Sequence, residues 1–125
     1  PVLEAPPRSL VAAGDEPPAV GMVSPCAAKG LAVLLAVADA LPSVSFLAVQ
    51  TRWTKDIHVA EMRKRPNLRV IPASPQVDDV YARMRVLLAP SLWPEGFGLV
   101  ALEACLRGIP VVSTRSGGLL EANAC

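Results

Sequence analysis

Two carboxylates and two glycines stand close together in one segment near the C-terminal end of the chain. Glu95 falls in the proline- and glycine-containing residues 90–98 (PSLWPEGFG), and Glu103 follows it in an E-x7-E pattern within an apolar stretch. The glycines on either side of Phe97 allow the backbone to approach a ligand closely, and N–H groups at a helix start favour an anion. Because a helical side chain leans toward the helix N-terminus, both carboxylates can flank one pocket and accept hydrogen bonds from a sugar or a ribose.

The elements that must hold this segment alternate between the strand period and the helix period. Short apolar runs predict strands at residues 19–23, 45–50, 68–71, 86–89 and 110–113. Helical periodicity predicts helices at residues 29–41, 76–84 and 98–107, with the start of another at 119–122. Residues 54–65, whose apolar residues form no clean stripe, are interpreted as a short helix. This alternation predicts an α/β fold, a doubly wound parallel sheet with helices on both faces.

One predicted helix, at residues 76–84, has a particularly clear apolar face. Its face consists of Val77, Val80, Tyr81 and Met84, and Ser74 is the candidate N-cap. The pattern therefore predicts that this helix packs on the sheet.

The folded domain is expected to span residues 19–125, after an extended, proline-rich leader or linker at residues 1–18. Ligands of open parallel sheets bind at the carboxyl ends of the strands. The candidate binding loops are therefore residues 24–29, 50–53, 72–75, 90–97 and 114–118.

The segment PSLWPEGFGLVALEA, followed by RGIPVVSTRSGGLLEA, resembles the donor-site signature of the retaining GT-B glycosyltransferases. That family includes sucrose synthases and the glycogen and starch synthases. The resemblance extends over about residues 19–122 and is strong over 90–121. It implies the Rossmann-like, nucleotide-sugar-binding half of a GT-B fold, which would transfer a hexose without a metal ion or a cofactor, with a nucleotide diphosphate sugar as substrate.

The resemblance assigns the principal roles to three side chains. Glu95 would contact hydroxyl groups of the donor sugar, and Glu103 would accept hydrogen bonds from the ribose. Lys29, in the segment SPCAAKG, matches the lysine that neutralises the departing diphosphate. Glu95 and Lys29 are thus the candidate catalytic residues.

The remaining donor contacts implied by the resemblance come from the backbone. The N–H groups of four consecutive residues would face the sugar or the distal phosphate, and these are Gly96, Phe97, Gly98 and Leu99. The backbone from Ile71 through Pro72 to Ala73 would border the nucleotide base.

The sequence departs from the family pattern in three places. Many members carry an arginine shortly after the first strand, where this chain has Met22. The chain stops at Cys125, before an expected further strand and closing helices, so a sheet edge is expected to need cover from a partner chain. The N-terminal acceptor domain is missing, so the 125-residue chain alone is not expected to turn over.

Composition excludes several other classes of function. A net charge of +1 gives no electrostatic footprint for nucleic acid, and no apolar run approaches the roughly 20 residues of a membrane span. No Asp-x-Asp motif is present, and the three cysteines lack zinc-site spacing. Reduced thiols, and hence the cytoplasm or another reducing compartment, are expected, and His58 is interpreted as structural or solvated.

A second interpretation remains open at this point. Glu95 could only complement a helix dipole and Glu103 could be a solvated helical residue. The chain would then be a truncated, non-catalytic glycosyltransferase-like domain that serves as a structural or binding subunit.

Overall fold

The computed structural model describes residues 18–91 and 99–114. Five strands and four helices alternate along the described residues, and their bounds are β1 (Ala19–Val23), α1 (Leu31–Ala40), β2 (Phe46–Gln50), α2 (Asp56–Arg63), β3 (Leu68–Pro72), α3 (Val77–Ala82), β4 (Met84–Ala89), α4 (Leu99–Leu106) and β5 (Val111–Ser113). The predicted leader and the predicted helix start at 119–122 lie outside the described residues.

The strands form one sheet in the order β3-β2-β1-β4-β5, and every neighbouring pair is parallel. The chain moves outward from β1 to β3 and then crosses back to β4 on the other side of β1. Open parallel sheets bind ligands at such a reversal of strand order, at the carboxyl ends of the strands. The predicted doubly wound α/β sheet is confirmed.

Two apolar clusters fix the helices to opposite faces of the sheet. On one face, α1 and α2 pack around Phe46, Met22 and Leu34, which are all at most 1% exposed. On the other face, α3 and α4 pack around Met84 and Leu87. Burying each such side chain contributes about 1.5–3 kcal/mol, so the two clusters together hold the layers in place.

The start of β4 differs from the sequence prediction. Periodicity places Met84 on the face of the third helix, but it is the first residue of β4 and is 1% exposed. Helix α3 ends at Ala82, and the single residue Arg83, in the αR conformation, links it to the strand. Because the link is so short, the apolar residues of helix and strand form one continuous pattern in the sequence.

The N-cap of α3 also differs from the prediction. The cap is Gln76, and the hydroxyl of Ser74 instead accepts a hydrogen bond from the Gln76 N–H at 3.1 Å. Ser74 therefore stabilises the turn before the helix rather than the helix start itself.

His58 is structural, as predicted. Its Nδ1 atom accepts a hydrogen bond from the backbone N–H of Lys55 at 3.1 Å, which caps the start of α2.

The expectation that all cysteines are reduced is wrong at Cys105, which is disulfide-bonded, whereas Cys26 is a free thiol. Among the residues described, no helix has the length and apolar character that a membrane span requires.

Candidate functional site

The loop after β1 is fastened to the end of β2. Ser24 has a left-handed backbone (φ 60°), and its N–H donates to the Val49 carbonyl at 2.9 Å. Its hydroxyl lies 2.7 Å from the hydroxyl of Thr51. These contacts hold the loop in place just where the chain leaves the sheet.

The same loop then packs against the end of β4. The Lys29 N–H donates to the Cys26 carbonyl at 3.1 Å, which closes a tight turn before α1. Gly30 follows with φ 92°, and a Cβ atom at this position would overlap the carbonyl group of Pro90. The absence of a side chain at Gly30 therefore brings the turn that carries Lys29 against the residue that opens the loop after β4.

The entry to the loop after β4 is buried and hydrogen-bonded. Ser91 is 4% exposed, and its carbonyl accepts a hydrogen bond from the Thr114 hydroxyl at 2.6 Å. The Thr114 N–H donates to the Ala89 carbonyl at 3.3 Å. The sheet thus fixes the point from which the segment containing Glu95 departs.

A cavity of about 150 Å³ opens beside the carboxyl ends of β1, β2 and β3, under α3 and α4. Its lining is mostly apolar and consists of Val23, Val49, Thr51, Ala73, Ser74, Val77, Val80, Tyr81, Val100 and Glu103. A cavity of this volume is enough for one benzene-sized ring. The cavity therefore suits a single planar ring, with a carboxylate at its wall to receive polar groups attached to that ring.

Glu103 is held at this wall by a neighbour from the adjacent helix. The Tyr81 hydroxyl donates to Glu103 Oε2 at 3.1 Å and lies 3.3 Å from the Val100 carbonyl oxygen. The Arg107 guanidinium stacks over the Tyr81 ring, 5.0 Å from its centroid, and bonds Asp78 Oδ1 at 2.8 Å. The carboxylate is thus part of a hydrogen-bonded cluster that joins α3 to α4.

Tyr81, the only tyrosine of the chain, should titrate abnormally. Burial raises the pKa of its phenol above the ordinary value of 10.0, and the Glu103 carboxylate adds to the increase. The folded chain therefore binds the phenolic proton more tightly than the unfolded chain, so this contribution to stability is fully present below about pH 10 and is lost at higher pH. We expect the near-ultraviolet absorbance of tyrosinate to appear at higher pH in the native chain than in urea. Coincident titration curves would contradict this placement of Tyr81.

The structure places some of the predicted site residues and not others. Glu103 reaches the cavity, and Lys29 lies in the loop beside Pro90. Leu99 is the first residue of α4. The remaining candidates of this loop, Glu95, Gly96, Phe97 and Gly98, lie outside the described residues.

The predicted border of the base site runs from β3 into the loop that follows this strand. Ile71 and Pro72 pair with Val49 and Gln50 in the sheet, and the next two residues, Ala73 and Ser74, line the cavity. Ala73, the last residue of the predicted border, thus lines the cavity, and the prediction for Ile71 and Pro72 stays a prediction.

Met22 is not positioned to contact a ligand. It lies inside β1, is 1% exposed and packs in the core under α1 and α2. A side chain that contacts phosphate from this part of the chain would have to come from the loop that follows, where Lys29 stands.

Two residues of this cluster are not identified by the sequence patterns. Periodicity marks Tyr81 only as a core residue and Arg107 only as the end of a helix. A signal does exist, because a buried tyrosine hydroxyl usually finds a hydrogen-bond partner.

In the described ranges, no group of three or more His, Cys, Asp or Glu side chains could hold a metal ion.

Comparison with known proteins agrees with this fold. The sequence profile of the family described as "Glycosyl transferases group 1" matches residues 15–124. A D-inositol 3-phosphate glycosyltransferase of Mycobacteroides abscessus is 34% identical over 112 residues, which are 90% of this chain and 19% of that protein. The protein of the same name from Pseudarthrobacter chlorophenolicus is 41% identical over an alignment of 73 residues, which covers 47% of this chain and 17% of that protein. The chain therefore spans less than a fifth of the length of these curated relatives.

A solved structure shows the same architecture. The crystal structure of Anabaena HepE in complex with UDP and glucose matches with a TM-score of 0.70 and 26% identity, covering 82% of this chain and 31% of HepE. HepE has also been crystallised with UDP-glucose.

Proposed function

The chain belongs to the group 1 glycosyl transferases, and from this membership we propose that it is the donor-binding domain of a retaining, metal-independent glycosyltransferase. Joined to an acceptor domain, it would transfer a hexose from a nucleotide diphosphate sugar. One observation carries the proposal: the Glu103 carboxylate stands at the wall of a ring-sized cavity at the carboxyl ends of the strands. The UDP and glucose bound by HepE support a nucleotide sugar as the ligand.

The base of the donor would occupy the cavity, with the ribose beside Glu103 at its wall. The base enters between the ends of β2 and β3 on one side and α4 on the other, where Val49, Ala73 and Val100 supply apolar contact. Glu103 then accepts hydrogen bonds from the ribose hydroxyls. Hydrogen bonds to an ionised carboxylate are stronger than neutral ones, so the ribose contact should dominate the orientation of the nucleotide.

The diphosphate would lie at the carboxyl ends of β1 and β4, beside the loop that carries Lys29. As the bond between the sugar and the diphosphate breaks, negative charge develops on the departing oxygen, and the Lys29 ammonium group together with nearby helix N–H groups stabilises it. These groups supply the positive charge that a metal ion supplies in other transferases. The donor sugar would contact Glu95 and the backbone N–H groups of residues 96–99. The diphosphate would leave from the same face of the sugar that the acceptor approaches. The configuration at the sugar carbon that is transferred is therefore retained.

Calorimetric titration of the 125-residue chain with UDP, GDP, ADP and UDP-glucose tests the proposal. We expect micromolar to millimolar binding of at least one diphosphate. The Lys29→Ala variant should lose about tenfold or more in affinity for that diphosphate, because it removes a charge-assisted contact, but little for the corresponding nucleoside.

The matched control is Lys64→Ala. Lys64 follows α2, is largely exposed and pairs with Glu61 at 2.8 Å, so its removal should leave nucleotide affinity unchanged. Absence of binding by every nucleotide, or equal losses in the two lysine variants, would overturn the proposed site.

A further inference from the structure

We propose that Tyr81 is a positioning residue for the ribose contact: it holds Glu103 by one carboxylate oxygen and thereby directs the other oxygen toward the nucleotide. The inference rests on the proposed function, because it concerns the same site. It adds a residue on α3 to a contact that the sequence pattern assigns to α4 alone.

The geometry of the pair supports this role. The Tyr81 hydroxyl carries one hydrogen, and its shorter contact is the one to Glu103 Oε2, at 3.1 Å against 3.3 Å to the Val100 carbonyl. Both Tyr81 and Glu103 line the cavity. A carboxylate that accepts this hydrogen bond through Oε2 keeps Oε1 for a hydroxyl group of the ligand.

The tyrosine is itself held in place. It is 4% exposed and belongs to the apolar cluster between the sheet and α3 and α4. Arg107 covers its ring, and this arginine is tied at one side to Asp78 and at the other to the Glu103 carbonyl at 3.0 Å. The ring therefore has little freedom, and its hydroxyl meets the carboxylate in one orientation.

The protonation state of Tyr81 is suited to the same role. Burial raises the pKa of the phenol, so it keeps its proton throughout the range in which a nucleotide would bind. It remains a donor, and an ionised carboxylate is the acceptor that it would hold most strongly. Without the tyrosine hydroxyl, the long glutamate side chain would have to become ordered when the ligand binds, which weakens binding.

A comparison of two ligands and two proteins tests the inference. The wild-type chain and Tyr81→Phe are titrated with UDP and with its 2′,3′-dideoxyribose analogue. We expect the wild type to prefer UDP, and Tyr81→Phe to bind UDP about threefold to tenfold more weakly, the effect of removing one hydrogen bond. Affinity for the dideoxy analogue should be the same in both proteins. In a Glu103→Ala background, Tyr81→Phe should have no further effect on the preference for ribose.

The outcomes separate positioning from a merely structural role. A change in core packing would weaken binding of both ligands equally, and that result would overturn the inference. So would an unchanged ribose preference in Tyr81→Phe, which would leave the proposed function intact. Absence of binding by the wild type would overturn the proposed function and this inference together.

Discussion

The Gly30→Ala variant is expected to lose about 2–5 kcal/mol of unfolding free energy. Gly30 has φ 92°, and an added Cβ atom would overlap the backbone carbonyl of Pro90 rather than a side chain that could rotate away. The left-handed conformation costs a non-glycine residue about 1–2 kcal/mol. The overlap with Pro90, which forces the two loops apart, costs about 1–3 kcal/mol more. Urea unfolding followed by circular dichroism measures the loss.

Gly108→Ala is the matched control for this prediction. Gly108 also has a left-handed backbone (φ 73°), but within the part of the chain that the structure describes no atom lies within 4 Å of an added Cβ atom. Its replacement should therefore cost only the conformational term, about 1–2 kcal/mol. Equal losses in the two variants would show that the contact between Gly30 and Pro90 does not hold the loops together.

The second large effect is expected at Glu103. Replacing it with alanine should weaken UDP binding by about 10-fold to 100-fold, because a hydrogen bond to a charged group contributes about 1.5–3 kcal/mol. The fold should change little, since alanine is a better helix former than glutamate and this offsets part of the hydrogen bond that the carboxylate accepts from Tyr81. Calorimetry at matched protein concentration measures the affinity, and thermal unfolding verifies the fold.

Glu61→Ala serves as the control for Glu103→Ala. Glu61 stands on α2, on the opposite face of the sheet from α4, and it pairs with Lys64 and Arg65. Its removal should leave UDP affinity unchanged. The assignment of Glu103 would be wrong if its variant bound UDP as tightly as the wild type, or if both variants were weakened alike.

The strands of the fold are largely predictable from the sequence, because each strand is a short apolar run between turn residues. The prediction at residues 19–23 coincides with β1, and the second strand differs by one residue at its start. The boundary between α3 and β4 is not predictable from periodicity, since Arg83 is the only residue between them and Met84 continues the apolar pattern of the helix. Val77 extends the same apolar pattern, but it is 42% exposed because it borders the cavity rather than the core.

The site is predictable in part, for a related reason. Lys29 and Glu103 are assigned by the resemblance to the donor-site signature, and their positions agree with the rule that ligands bind at the carboxyl ends of parallel strands. Tyr81 and Glu103 belong to different helices, and the two residues are 22 positions apart in the sequence. Which faces of α3 and α4 meet depends on the order of β1 and β4 in the sheet, and no periodicity within either helix contains that information.

The central claim is that the cavity beside Glu103 receives the nucleotide of a sugar donor. Amide resonances of the isotope-labelled chain, recorded during titration with UDP-glucose, test it most directly. We expect saturable shifts at Gly30, Ala73, Ser74 and Glu103, and none along α2. Shifts confined to α2, or no shifts at millimolar UDP-glucose or with any other nucleotide sugar, would contradict the claim.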